Sequence, residues 1–423
     1  MKHEQIYSLR EQLDQDDYLV ASYYIELSPD VDPYEKAKTF AVGQTIGTWV
    51  PVPGITDEMR DRYMGKVIQV FDIPPADLTV QPVGNEKRPY LFQIAYPTHN
   101  FGPDFPMLIT TLLGNDASTS AQAKLVDVCM PKPFLNAFPG PSFGIEGLRD
   151  LTGVYERPLL LNMIKPCTGF TAEVGQKIFY ETALGGVDFI KDDELLGNPT
   201  FCPLVQRVKA YNVASDAAYE KTGKRTIYVA NITAGVGQLE ENAKHAVDAG
   251  ARMLMVNFAA VGYSALQRIT ELVNIPIMGH YAGSGPYYEG TYTGASSPLT
   301  VGRFPRMAGA DVVMINTPYG GYPLKRQKYL RTFHELSMPL GNVKRSLTSV
   351  GGGVRPGLVR RFIDDLGADI MLSPGGAIQG HPMGPAAGVR AMFQAIEAAM
   401  QQVSVEEMAK EHQELRIALD MWG

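Results

Sequence analysis

The sequence predicts a small α+β domain followed by a (β/α)8 TIM barrel, and two features of the longer part carry that prediction. Eight short apolar runs recur along it: Leu159–Ile164, Asp188–Ile190, Ile227–Val229, Met253–Val256, Pro276–Met278, Val312–Ile315, Ser346–Thr348 and Ile370–Leu372. Segments of helical composition separate them, such as Ala172–Leu184, Glu240–Ala249, Leu324–Leu336 and Gly384–Met400. Most of the runs are near-continuously apolar instead of alternating, as parallel strands are when both faces are buried. Eight strand–helix alternations of this kind point to a closed barrel. A doubly wound open sheet is the alternative.

The first third has no such regularity. Tyr18–Leu27 reads as a strand, rich in Val, Tyr and Ile. Asp32-Pro33 then opens a helix to about Thr45, with proline where a first turn tolerates it. Strand-like runs follow at Lys66–Phe71, Leu91–Tyr96 and Lys124–Val128, with a helix near Pro106–Leu113. The breaker cluster Phe138-Pro139-Gly140-Pro141 marks the boundary, giving domains 1–138 and 139–423. The tail Val405–Trp422 reads as one more helix outside the barrel.

A chain of 423 residues is long for one domain, and 45% hydrophobic with 20% charged residues is ordinary globular composition. The net charge of −7, without a basic run, lacks the footprint of nucleic-acid binding. Cys129, Cys167 and Cys202 form neither a CxxC pair nor a disulfide framework. The start Met1-Lys2-His3-Glu4-Gln5 is polar, and no apolar stretch is long enough to span a bilayer. A cytoplasmic protein with no membrane partner is the expectation.

Barrel active sites lie where the strands end. Here those ends read Ile164-Lys165-Pro166, Lys191-Asp192-Asp193-Glu194, Ala230-Asn231-Ile232-Thr233 and Met278-Gly279-His280. The seventh and eighth run into Gly351-Gly352-Gly353 and Gly375-Gly376. Alternation puts Lys191 and Asp193 on one side, with Glu194 able to turn inward at the strand end. Two carboxylates suit an octahedral Mg2+ held by oxygens. An ammonium beside them would repel the ion. A desolvated Lys191 amine that takes up CO2 as a carbamate becomes a third oxygen ligand instead. A salt-bridged strand end is the plainer reading of the same four residues.

Glycines after strands seven and eight let backbone N–H groups approach a phosphate, although they also serve tight turns. Lys165 is placed to be a general base if a neighbouring dication lowers its pKa; its alternative is an ion pair with Asp193 or Glu194. His280 is a weaker candidate, since a histidine at a strand end is often only scaffold.

Together these residues resemble the RuBisCO superfamily. Gly185 through Glu194 is similar to its carbamate and metal segment, Ile164-Lys165-Pro166 to its first-strand lysine motif, and Gly375-Gly376 through Gly380-His381-Pro382 to its eighth-strand phosphate loop. Gly47-Thr48-Trp49 and Gly114-Asn115 resemble the segments that reach a neighbouring subunit's active site. The resemblance covers nearly the whole chain. It implies a ferredoxin-like N-terminal domain, a homodimer with shared sites, and substrate contacts from Thr48, Trp49, Asn115 and Asn231.

The departures from RuBisCO shape the expected function. Cys167 stands where RuBisCO has a second lysine, and the loop Thr317-Pro318-Tyr319-Gly320-Gly321-Tyr322 lacks its mobile lysine. Tyr281 replaces an arginine for the second phosphate, and Gly43 replaces a glutamate. The metal, the base and one phosphate site persist while the CO2 clamp does not, which is the pattern of a RuBisCO-like protein. Pro318-Tyr319-Gly320 and Ala418-Leu419-Asp420-Met421-Trp422 resemble the branch that enolises a diketo methylthiopentane phosphate. That branch has its base lysine near the position of Gln122, with Lys124 close by. The expectation is an enolase or isomerase acting on a monophosphorylated keto sugar. The alternatives are a decarboxylase or hydrolase of a phosphorylated 3-oxo sugar acid, as in apiose catabolism, and a non-catalytic relative.

Overall fold

The computed structural model describes residues 3–14, 16–47, 52–78 and 86–423. The chain divides into two compact units, Met1–Phe138 with Ser284–Thr300, and Pro139–Gly283 with Val301–Gly423.

The first unit holds β1 (Tyr18–Leu27), β2 (Lys66–Asp72), β3 (Arg88–Pro97) and β4 (Lys124–Cys129). They form an antiparallel sheet in the order β2-β3-β1-β4. Helices Pro33–Gly43 and Phe105–Leu113 form the two crossovers, so the unit has the ferredoxin-like arrangement. Each helix starts on an aspartate. Asp32 accepts from the N–H groups of Tyr34 and Glu35 at 2.8 and 2.9 Å, and Asp104 from that of Met107 at 2.9 Å. On β1, Tyr23 is fully buried against Phe40 and donates its hydroxyl to Leu112 O at 2.9 Å, which fastens both helices to the sheet.

The sequence boundary places Ser284–Thr300 with the barrel, but it groups with this unit because its backbone extends the β4 edge. Leu125 N donates to Gly294 O at 2.9 Å and Ser296 N to Leu125 O at 2.8 Å. Lys124 Nζ donates to Tyr288 O at 2.5 Å and also to Gly290 O, so its ammonium is engaged in holding this loop.

The second unit is a closed parallel barrel, which removes the open-sheet alternative. Its strands are β5 (Leu159–Met163), β6 (Phe189–Lys191), β7 (Ile227–Asn231), β8 (Met253–Asn257), β9 (Ile277–His280), β10 (Val312–Asn316), β11 (Leu347–Gly351) and β12 (Ile370–Ser373). Leu159, Leu161, Phe189, Val229, Met255, Met278, Met314 and Met371 belong to one buried cluster, with Ile145 and Leu148 of helix Gly144–Thr152 in the same cluster. Flexible thioethers fill the interior without strict shape matching. Buried Asp311 accepts from the N–H groups of Phe143, Gly144 and Ile277 at 2.7–2.9 Å, tying that helix and β9 to the start of β10.

The tail is two helices, Val405–Glu411 and Gln413–Trp422, not one. His412 takes an extended backbone (φ −122°, ψ 105°) and turns the second helix so that Leu415 and Ala418 are buried. No helix among the described residues is long and apolar enough to cross a membrane.

Candidate active site

Because all eight barrel strands are parallel, their C-terminal residues share one end. β6 ends at Lys191, β7 at Asn231, β8 at Asn257, β9 at His280, β11 at Gly351 and β12 at Ser373. Polar or glycine ends on largely apolar strands are what a site requires and a packing core does not.

Lys191 is fully buried. Its Nζ donates to its neighbour's carbonyl, Asp192 O, at 2.8 Å and lies 3.8 Å from Glu194 Oε2. Burial pushes its pKa below the ordinary lysine value, although Glu194, Asp193 and Asp192 pull the other way.

Asp193, also buried, is 2.7 Å from Lys165 Nζ, which in addition donates to Cys167 Sγ at 3.0 Å. Burial disfavours the Lys165 ammonium, but bonds to Asp193 and Cys167 outweigh it and raise the pKa above the ordinary value. The ion pair with Asp193, the alternative reading of Lys165, is therefore formed. In this arrangement Asp193 pairs with the ammonium, and a dication would compete with Lys165 for that carboxylate.

Glu194 turns inward. Its Oε2 lies 3.6 Å from His280 Nε2. His280 Nδ1 accepts from Ala282 N at 3.1 Å, so the proton sits on Nε2, facing Glu194. The imidazole is held neutral, its pKa pushed well down by burial and by Lys191, against Asp193. Tyr281 stacks on it with ring centroids 5.1 Å apart and planes 11° apart.

Asn231 Nδ2 donates to the main-chain carbonyls of Asp193 and Glu194, each at 3.2 Å. Asn231 thus fixes the carboxylate-bearing segment instead of presenting its amide to a ligand. Asn257, which the sequence reading passed over, donates to Glu194 O at 3.0 Å. Thr233 links the two asparagines, giving its hydroxyl to Asn231 Oδ1 at 2.7 Å and accepting Asn257 N at 2.9 Å. The signal for Asn257 was its place at the end of the fourth strand.

The two glycine runs are neighbours, since Gly351 pairs with Ser373 across β11 and β12. Gly352 and Gly353 have φ of 79° and 84°, which side chains resist. A side chain on Gly375 would touch Lys165 Cε at 3.5 Å, so the eighth-strand loop lies against the lysine. Gly376 opens the short helix Gly376–Gln379, and Gln379 is held by Asn162 Oδ1 at 2.6 Å and Thr182 Oγ1 at 2.9 Å. His381 Nε2 bonds Glu414 O at 3.0 Å, which gives it a structural task in docking the tail.

The barrel therefore gathers Lys165, Lys191, Asp193, Glu194, His280, Asn231 and the glycines 351–353 and 375–376 at one end. Thr48 and Trp49 lie outside the described residues. Asn115 is exposed and begins the turn Asp116–Ser120 in the other unit. Among the described residues no three His, Cys, Asp or Glu side chains form a ready-made metal cluster. The donors on hand are two carboxylates beside a buried amine.

Comparison with known proteins identifies the family. Residues 144–422 match the family described as ribulose bisphosphate carboxylase large chain, catalytic domain, and residues 7–134 match its N-terminal domain. A ribulose bisphosphate carboxylase-like protein of Archaeoglobus fulgidus is 41% identical over 93% of this chain and 90% of its own. A 2,3-diketo-5-methylthiopentyl-1-phosphate enolase of Geobacillus thermodenitrificans is 35% identical over 96% of this chain and 98% of its own. The crystal structure of a rubisco-like protein (MtnW) from Alicyclobacillus acidocaldarius superposes with a TM-score of 0.89 at 35% identity, covering 96% of this chain and all of the other. With both domains matched and a RuBisCO-like relative 41% identical over nearly the whole chain, the chain belongs to the RuBisCO large-chain family as a RuBisCO-like protein.

Proposed function

We propose that this protein is a Mg2+-dependent enolase or isomerase that forms an enolate on a monophosphorylated keto-sugar-type substrate and does not fix CO2. The carrying observation is that two amine–carboxylate pairs meet at one strand end, Lys165 with Asp193 at 2.7 Å and Lys191 with Glu194 at 3.8 Å, while the CO2-clamping residues of RuBisCO are replaced. The enolase named among the relatives supports the same reaction class.

The donor set fits the metal. Lys191 is sealed from water with one short bond to a carbonyl, a poor setting for an ammonium. As a carbamate it would complete three anionic oxygen ligands with Asp193 and Glu194, the hard set that Mg2+ takes. Bound there, the ion would supply Lewis-acid stabilisation of developing enolate charge. Lys165 Nζ carries the proton that moves, at the open side of the site, where its side chain is 37% exposed. His280 offers an N–H to a substrate oxygen, and Gly351–Gly353 with Gly375 and Gly376 hold the phosphate. Thr48, Trp49 and Asn115 of a partner subunit would complete the site in a cytoplasmic homodimer.

The relatives' diketo methylthiopentane phosphate is one candidate substrate. Against its use in the same way stands Gln122, exposed with φ 51°, where that branch has its base, and Lys124 is committed to carbonyls of the 284–300 loop. Proton transfer therefore falls to Lys165. The second reading, decarboxylation of a phosphorylated 3-oxo sugar acid, is favoured by the same pairing. An ammonium beside Asp193 is poised as an acid that protonates an enolate.

Proton NMR in D2O with Mg2+ and bicarbonate, over keto-sugar monophosphates and phosphorylated 3-oxo acids, separates these. Deuterium entering next to the carbonyl with the carbon skeleton intact supports the enolase or isomerase. CO2 release with deuterium in the product replaces it with the decarboxylase. No turnover of any substrate, with Lys191→Ala unchanged in every property, would return the chain to the non-catalytic relatives.

A further inference from the structure

The second residue of the Lys191–Glu194 run has no part in the chemistry above, yet it is the hub of a buried network. Asp192 points away from Lys191 and Asp193, as strand alternation requires, and is fully buried. Its Oδ2 accepts from Arg207 Nε at 3.2 Å and Nη2 at 3.1 Å, from Tyr228 OH at 2.6 Å and from Asn231 N at 2.9 Å. Arg207, equally buried on helix Leu204–Thr222, also donates to Cys202 O at 2.6 Å and Gly197 O at 2.7 Å. One ion pair thereby ties together β6, the loop after it, the following helix and β7.

Two routes lead from Asp192 into the site. Lys191 Nζ donates to the Asp192 carbonyl at 2.8 Å, so the direction of that carbonyl sets where the amine rests. Asn231, whose N–H is fixed on Asp192 Oδ2, holds the carbonyls of Asp193 and Glu194. Stability alone is a weak reason for such a network, because desolvating two charges cancels much of their attraction and apolar residues pack at least as well.

We propose that Asp192, clamped by Arg207 and Tyr228, is the positioning residue that sets the Lys191 amine and the Asp193–Glu194 backbone for uptake of CO2 and a divalent cation. The inference rests on the metal reading above. In the covalent step the lysine nitrogen bonds the CO2 carbon and loses one proton to solvent, leaving a carbamate anion. Asp192 touches neither CO2 nor metal. It fixes the groups that do.

The test uses the full chain, with carbamate followed by carbon-13 NMR after labelled bicarbonate and Mn2+ affinity followed by electron paramagnetic resonance. Asp192→Asn keeps the shape and removes the charge, and Tyr228→Phe removes one donor. Val208→Ala, buried on the same helix as Arg207, is the control for lost stability. Asp192→Asn and Tyr228→Phe should each weaken Mn2+ binding by at least about tenfold, the usual effect of disturbing groups that orient ligands, and diminish the carbamate signal. Val208→Ala should melt earlier with both readouts unchanged. Wild-type affinity in Asp192→Asn, or equal weakening by Val208→Ala, overturns the proposal. If Asp192→Asn does not fold, Tyr228→Phe decides by the same criterion. A wild-type protein that takes up neither CO2 nor Mn2+ overturns the metal reading itself, a result distinct from the variants' failure.

Discussion

Two adjacent glycines in the loop after β10 should behave in opposite ways. A methyl group on Gly320 would land on the carbonyl oxygen of Gly352 and 2.8 Å from its carbon, whereas one on Gly321 meets nothing within 4 Å. Carbon atoms in contact settle at about 3.5–4.0 Å, so Gly320→Ala must push the loop and the glycine triplet apart by about 0.7–1.2 Å. Neither side gives easily. Tyr319 donates its hydroxyl to Asp365 at 2.5 Å under the Arg361 guanidinium, and Gly352 and Gly353 are already left-handed. If Gly352 and Gly353 hold the phosphate, a displacement near 1 Å there costs about 10²-fold in kcat/KM, or roughly 2.7 kcal/mol. Inorganic phosphate should also weaken as a competitive inhibitor of Gly320→Ala, with Gly321→Ala matching the parent in both assays. Equal kinetics for the two variants, or equal damage, would remove the glycine triplet from the site.

Three further outcomes follow from the geometry. Lys165→Met should lower substrate deuterium exchange by about 10²–10⁴-fold yet still bind Mn2+, because it frees Asp193 from its 2.7 Å partner; Lys191→Met should lose both, and identical profiles would erase the distinction between base and ligand. Arg306, fully buried, donates to the carbonyls of Lys344, Glu335, Met338 and Val343 at 2.7–2.9 Å. Arg306→Met should therefore cost about 3 kcal/mol in a denaturant titration, by stranding buried acceptors, and a loss under about 1 kcal/mol would contradict this. Glu414 is held below its usual pKa by backbone N–H bonding and by Arg390 at 2.9 Å. A lowered carboxylate pKa gives stability that is present above the unfolded value of about 4.3 and lost as pH falls through the folded one. The tail should thus loosen in acid, seen as a change in Trp422 fluorescence, and Arg390→Met should move the midpoint up toward that value; an unmoved midpoint would show that the pair does not hold the tail.

The barrel was legible because its strands are apolar on both faces and then break abruptly into polar or glycine residues. That contrast is local and survives reading one strand at a time. What resisted reading depends on partners distant in sequence. Arg207 looks like any surface arginine of a long helix until Asp192 is placed beneath it. Ser284–Thr300 carries no strand periodicity, and its attachment to β4 is made by backbone groups that any sequence possesses. Lys165 reads as a candidate base or as an ion pair, and only folding brings it within 2.7 Å of Asp193. The break at His412 is a backbone turn set by docking of Leu415 and Ala418, with no proline or glycine to announce it.

The departures from RuBisCO are not vacancies awaiting a side chain. At Gly43, where the resemblance places a glutamate, a Cβ would fall on the carboxylate of Asp116, 2.7 Å from its carboxyl carbon. Tyr281, in the place of an arginine, is stacked on His280, and the loop that lacks the mobile lysine is fastened through Tyr319 to Asp365. Each altered position has acquired a local partner, so restoring one residue must first dislodge another. Gly43→Glu should cost about 1–3 kcal/mol from overpacking, with two carboxylates forced together, and should fix no labelled CO2. Adding Asp116→Ala should return most of that stability, a coupling that a double-mutant cycle reads directly. A Gly43→Glu protein as stable as its parent would mean that Asp116 yields freely and that the site is open to reversion. An uncoupled cycle would lead to the same conclusion, since it would show that the carboxylate beside Gly43 does not bar the way back.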